Sequence, residues 1–205
     1  ALLRRGRADR SYLEVLDEQL SVLGADLVDR RAAMLTELTP HVQELHERIA
    51  GSSARVELNL STSCKGDTPA ERAASFAARL AEVRDREIER GTTLAGPQTD
   101  DIRIQLDGHP ARTYGSRGQV RSLVLSLKLA ELVAAGVRGE VPLFLVDDVS
   151  SELDRSRTAR LVELLADLGA QVFATTTAPE HLSALPESDT LHFQVDGGVV
   201  RPTAS

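Results

Sequence analysis

Residues 114–154 read YGSRGQVRSLVLSLKLAELVAAGVRGEVPLFLVDDVSSELD. Three parts follow one another in this stretch: a glycine-flanked loop that opens a helix, an apolar strand that ends in two acids, and a polar turn before another helix. The loop holds Gly115, Ser116, Arg117, Gly118 and Gln119, and the helix behind it carries Val120, Leu123, Val124, Leu127 and Ala130 on its apolar positions. A helix start leaves backbone N–H groups unpaired and carries about half a positive charge. It therefore suits an anion, and glycine lets an oxyanion come close to the backbone. Ser116 adds a hydroxyl, although serine also caps helices wherever they begin.

Pro142-Leu143-Phe144-Leu145-Val146 is an unbroken apolar run, too short for a buried helix, and it predicts a strand covered on both faces. It ends at Asp147-Asp148. Ligands of open parallel sheets sit beyond the carboxyl ends of the strands, where a nucleotide's magnesium would lie. Side chains alternate along a strand, so the two acids can take different tasks: Asp147 the metal, usually through water, and Asp148 the attacking water. A solvated acidic turn is the competing reading. Ser151-Glu152-Leu153-Asp154 leads into a helix from about residue 155 to 168, and Ser151 or Asp154 as a plain cap explains that turn locally.

The order of the three parts resembles the C-terminal half of an ABC-type ATPase head, with Tyr114 to Gln119 as the signature loop, Leu143 to Asp148 as the Walker B strand and Ser151 to Asp154 as the D-loop. GPQTDDIRI (96–104), SRGQ, LVDDVSSELD and QVFATTTAPEHL (171–182) narrow the resemblance to the RecF family of bacterial recombination and gap-repair ATPases, related to the SMC proteins. The resemblance implies an α/β fold: a partly parallel sheet flanked by helices over residues 92–205, behind a mostly helical lobe over residues 1–91. It implies ATP and magnesium as cofactors. Ser116, Arg117, Gly118 and Gln119 would contact the γ-phosphate of a nucleotide held by a second copy, making ATP the glue of a homodimer. Ser151 and Asp154 would act with the D-loop. Thr176 stands near the strand end where ABC relatives place a histidine, and Gln98 where relatives often have one. Asp148 is one methylene shorter than the glutamate usual in the superfamily, which fits slow turnover. Duplex DNA or single-strand/duplex junctions, and mediators of the RecO and RecR type, are the implied partners. Other ABC or SMC-type subunits, or a pure interaction module, are the alternative readings.

The sequence contains no GxxxxGK(S/T) stretch, the loop that would cradle a β-phosphate and supply its lysine. The expectation is therefore the C-terminal portion of a longer ATPase, binding ATP weakly or not at all as given. A net charge of −7 argues against a broad basic surface, although a local one is compatible with it. Aromatic residues make up 3% and tryptophan is absent, so DNA contact is expected at the backbone rather than by base stacking. The most basic stretch is the opening ALLRRGRADR. One cysteine, Cys64, allows no intrachain disulfide, and no segment has the length and apolarity of a membrane span. The expected location is the bacterial cytosol, at the nucleoid.

Along the rest of the chain, residues 9–49 predict one helix, or two divided at Pro40, with Leu13, Leu16, Leu20, Leu23 and Leu27 on the apolar side, then Leu35, Leu38, Val42, Leu45 and Ile49. Its acids, Glu14, Asp17, Glu18, Asp26 and Asp29, read as a solvated face. Residues 55–60 alternate as a strand. Pro69 starts a helix that Gly91 caps. Residues 101–106 and 109–114 predict a hairpin about Asp107-Gly108, and the tail a second hairpin about 196–198. His41 and His46 show no ligand-like spacing.

Overall fold

The computed structural model describes residues 10–148, 153–177, 179–182 and 185–203. In chain order the elements are α1 (Arg10–Ala50), β1 (Val56–Ser61), α2 (Pro69–Arg90), β2 (Asp101–Leu106), β3 (His109–Pro110), α3 (Ala111–Tyr114), α4 (Arg117–Val137), β4 (Leu143–Val146), α5 (Arg155–Asp167), β5 (Gln171–Ala174), β6 (Phe193–Asp196) and β7 (Val199–Pro202). The strands form a sheet in the order β1-β2-β3, a parallel pair β4-β5 and an antiparallel pair β6-β7. Among the described residues no helix is long and apolar enough to cross a membrane.

The chain packs as two units. One takes in residues 10–39 and Glu57–Gln105; the other takes in Pro40–Val56 and the described residues from Leu106 onward. The division falls at Pro40, inside α1. That helix is continuous, so of the two readings of Pro40 the single helix holds.

In the first unit Val28, Cys64, Phe76, Leu80, Val83 and Ala95 form the core. The buried positions of the first half of α1 are Leu13, Ser21, Gly24, Ala25, Val28, Leu35 and Leu38, while Leu20, Leu23 and Leu27 are exposed. This corrects the leucine stripe expected there: both sets satisfy a helical period, and packing against α2 chose the one with small residues. The acidic side of α1 is not merely solvated either, since Asp17 pairs with Arg84 and Asp29 with Arg72 of α2. At the start of α2 the Thr68 side chain accepts from the Glu71 N–H and the Glu71 carboxylate accepts from the Thr68 N–H. These reciprocal bonds satisfy two of the helix's orphan donors. Gly91 closes α2 in the left-handed region at φ 66°.

The second unit buries Val42, Leu45 and Ile49 of α1, Leu123, Leu129, Ala130 and Ala134 of α4, and Leu161, Val162, Leu164 and Leu165 of α5. The expected return strand 109–114 is only two residues long; Ala111–Tyr114 is instead a single helical turn that leads into Gly115. The strand β4 pairs with β5 in the register Leu143↔Gln171 to Val146↔Ala174. Both strands alternate between exposed and half-buried positions, leaving Leu143 51%, Leu145 68% and Phe173 53% exposed. The expectation of a strand covered on both faces is thus corrected: one face of this pair is bare.

Candidate functional site

The loop at residues 115–119 is built around the start of α4. Ser116 is the N-cap, its Oγ accepting from the Gln119 N–H at 3.3 Å, while Gln119 Oε1 accepts from the Ser116 N–H at 2.9 Å. The plain capping role is therefore filled. The serine hydroxyl keeps a proton that it can still donate, and Ser116 and Arg117 both stay exposed. Behind the loop Leu123, Ser126, Leu129 and Ala130 anchor α4 in the core, so the helix start is held rigidly.

The strand tip is organised by Thr175, a residue to which sequence reading gave no role. Thr175 follows β5, and its N–H donates to the Val146 carbonyl at 2.9 Å, extending the parallel ladder by one bond. Its Oγ1 accepts from the Asp148 N–H at 2.8 Å and donates to Asp147 Oδ1 at 2.6 Å. One hydroxyl thus holds both acids. Asp148 is in the left-handed region at φ 49°, a conformation that a non-glycine residue adopts only at a cost and that the threonine bond helps hold. The signal available in advance was a hydroxyl at the end of the apolar run 171–174.

The third part begins at Asp154, the N-cap of α5. Its Oδ1 accepts from the Arg157 N–H at 3.0 Å and from the Ser156 hydroxyl at 2.8 Å, and Arg157 Nη1 lies 3.2 Å from its Oδ2. The bond from the Arg157 N–H, then that from Ser156, holds the Asp154 carboxyl below the usual carboxylate range. Ser151 lies outside the described residues. Thr176 is half-buried, next to the threonine that bonds the acids.

The structure thus joins Asp147 to Asp148 through Thr175, and sets Arg157 between Asp154 and the loop, where it lies against Gly118. A fully buried histidine, His46 of α1, stands near the same arginine; neither of its ring nitrogens has a hydrogen-bond partner. Burial, then the Arg157 charge, push its pKa below the usual histidine value, partly offset by Glu47 and Asp107. Among the described residues no group of three or more His, Cys, Asp and Glu side chains could hold a metal by itself. Asp147 alone offers a hard oxygen ligand beside a hydroxyl, which fits magnesium: that ion keeps several waters and takes one or two carboxylates plus substrate phosphates.

No family model matches the chain. Curated relatives do. The DNA replication and repair protein RecF of Myxococcus xanthus is 41% identical over 206 residues, covering 97% of this chain and 54% of the relative. The RecF of Synechocystis sp. is 42% identical over 184 residues, covering 88% and 47%, and that of Geobacter sulfurreducens 39% over 207 residues, covering 98% and 56%. The chain spans about half the length of the curated relatives it matches. Among solved structures, the recombination mediator protein RecF-ATPrS of the RecFOR pathway superposes with a TM-score of 0.78 at 26% identity, covering 98% of this chain and 53% of that one. A structure of an SMC ATPase superposes at 0.52 with 12% identity, a likeness of fold alone. The α/β fold is accordingly that of the C-terminal part of an ABC-type ATPase head. Over nearly its whole length, then, the chain is homologous to the RecF proteins, of which it spans about half.

Proposed function

We propose that this chain supplies the signature surface and the hydrolytic acids of an ATP-switched DNA replication and repair protein of the RecF type. The observation that carries the reading is the strand tip: two adjacent acids at the carboxyl end of a parallel strand, both held by Thr175. Asp147 would hold magnesium through water, and that ion would supply charge neutralisation at the phosphates. Asp148 would orient and deprotonate the attacking water. The exposed Ser116 hydroxyl, Arg117 and the free N–H groups at the start of α4 would meet the γ-phosphate of a nucleotide bound by a second copy, with Gln119 holding the serine in place. Thr176, at the strand end beside the two acids, would stand near the γ-phosphate on which those acids act, and Asp154 with Ser151 would line the dimer seam.

The loop that cradles the β-phosphate is absent from this sequence. In this reading it comes from the remaining length of the family's members, and the bare face of β4 and β5, with Leu143, Leu145 and Phe173, is where that part packs. Burying the half of each of these three side chains that is still exposed contributes about 1 kcal/mol or more apiece. Two nucleotides then lie between two heads, and loss of the γ-phosphate opens the dimer. Binding of duplex DNA or junctions, in the cytosol and with mediators of the RecO and RecR type, would be linked to that switch.

The test uses the full-length protein with ATP and DNA. Ser116→Arg is expected to abolish ATP-dependent dimerisation; Asp148→Asn is expected to keep dimerisation and slow hydrolysis. Dimerisation of Ser116→Arg at wild-type ATP concentrations would refute the contact in trans. Unchanged hydrolysis by Asp148→Asn would remove that acid from the chemistry.

A further inference from the structure

Gly118 has a neighbour that no phosphate argument foresees. A Cβ built on it would overlap Nη1 of Arg157 and lie 3.2 Å from its Cζ and 3.6 Å from its Nη2. The guanidinium of α5 therefore rests on the first turn of α4. Its Nη1 is the atom that also pairs with Asp154 Oδ2 at 3.2 Å, and the Arg157 N–H donates to Oδ1 of the same carboxylate at 3.0 Å. One residue thus holds both oxygens of the α5 cap with its backbone and side chain, while its planar end covers the start of α4. The side chain is 23% exposed, so the contact is largely shielded from water.

The backbone gives no competing reason for glycine here. Gly118 lies inside α4 and is not among the residues at positive φ. Alanine is the better helix former, so helix propensity does not ask for glycine at this position. What lies over position 118 is the tip of Arg157, the flexible end of a long side chain that any Cβ there would displace. A lysine could keep the charge beside Asp154, but its single ammonium cannot also lay a flat surface over the helix start.

We propose that Arg157 is a positioning residue that fixes the start of α4 against the capped start of α5, and that position 118 is glycine in order to admit its guanidinium. The proposal rests on the reading above in one respect: of the two helix starts it joins, that of α4 is assigned to the second molecule's nucleotide and that of α5 to the dimer seam.

A double-mutant cycle in the full-length protein tests it. Gly118→Ala and Arg157→Ala are each expected to raise the ATP concentration for half-maximal dimerisation about tenfold, the scale of one lost charge-assisted contact. The double variant is expected to be no worse than either single one, because both delete the same contact. Arg157→Lys should recover part of the loss. If glycine serves only the approach of phosphate, Gly118→Ala will still cost its full factor in the Arg157→Ala background, and the proposal is overturned. A nucleotide-free measurement separates this inference from the switch itself. Without ATP, Arg157→Ala should raise amide hydrogen exchange across residues 117–122 and 155–158 severalfold, and unchanged exchange there overturns the proposal. A wild-type protein that fails to dimerise on ATP, while Arg157→Ala still raises that exchange, would instead sink the dimer reading alone.

Discussion

Replacing Thr175 by valine removes one hydroxyl and little else, because valine keeps the branched shape and suits the end of a strand. Two bonds go with it: the 2.8 Å bond from the Asp148 N–H and the 2.6 Å bond to Asp147 Oδ1. A neutral bond contributes about 1 kcal/mol and one to a charged group about 1.5–3 kcal/mol. Asp147 and Thr175 are exposed, so water replaces much of both, which puts the combined loss near 1.5 kcal/mol. That is about a tenfold rise in local opening. Asp148 also loses the acceptor of its backbone N–H that helps hold it at φ 49°. In the full-length protein, amide exchange at Asp148 should accelerate about tenfold by nuclear magnetic resonance or peptide mass spectrometry. ATP hydrolysis should fall between about tenfold and a hundredfold, the range for a misplaced catalytic group, with ATP-dependent dimerisation retained. Thr175→Ser should keep most of both properties. If valine leaves exchange and hydrolysis at wild-type values, the hydroxyl does not organise the acids.

His46 should give the second unit a pH dependence of known sign. Its folded pKa lies below the usual value of about 6.5, so as pH falls below about 6.5 the unfolded chain binds a proton more readily and stability is lost. The difference in stability between wild type and His46→Leu, followed by chemical denaturation, should therefore move against wild type between pH 7 and pH 5, and a flat difference would contradict the buried neutral ring. Leu145→Lys should cost under about 0.5 kcal/mol in the chain as given, where the side chain is 68% exposed, and several times more in the full-length protein, where the face is expected to be covered. Equal costs in the two settings would show that the face stays bare. Thr68→Ala, which breaks the capping box of α2, should lower stability by about 1 kcal/mol, read from the thermal midpoint.

Local chemistry was legible in the sequence wherever the deciding interactions lie within a few residues of one another. Pro69 and Gly91 mark the ends of α2, Asp107-Gly108 makes its turn, and Ser116 and Gln119 cap α4, because turns and helix starts are settled by neighbouring backbone groups. The order of loop, acids and polar turn was equally plain. What needed the tertiary structure were choices between patterns of equal local merit. Two sets of positions on α1 satisfy a helical period, and packing against Phe76 and Leu80 buried Val28 while leaving Leu23 in water. The apolar run 142–146 carries no record of which face is covered, so the bare Leu143, Leu145 and Phe173 emerged only from the pairing of β4 with β5. The contacts that join the site cross long sequence separations: Thr175 reaches residues 147 and 148, and Arg157 reaches Gly118. A hydroxyl and a guanidinium look alike at any position in a sequence, and only the folding of β5 beside β4 and of α5 against α4 gives these two their partners.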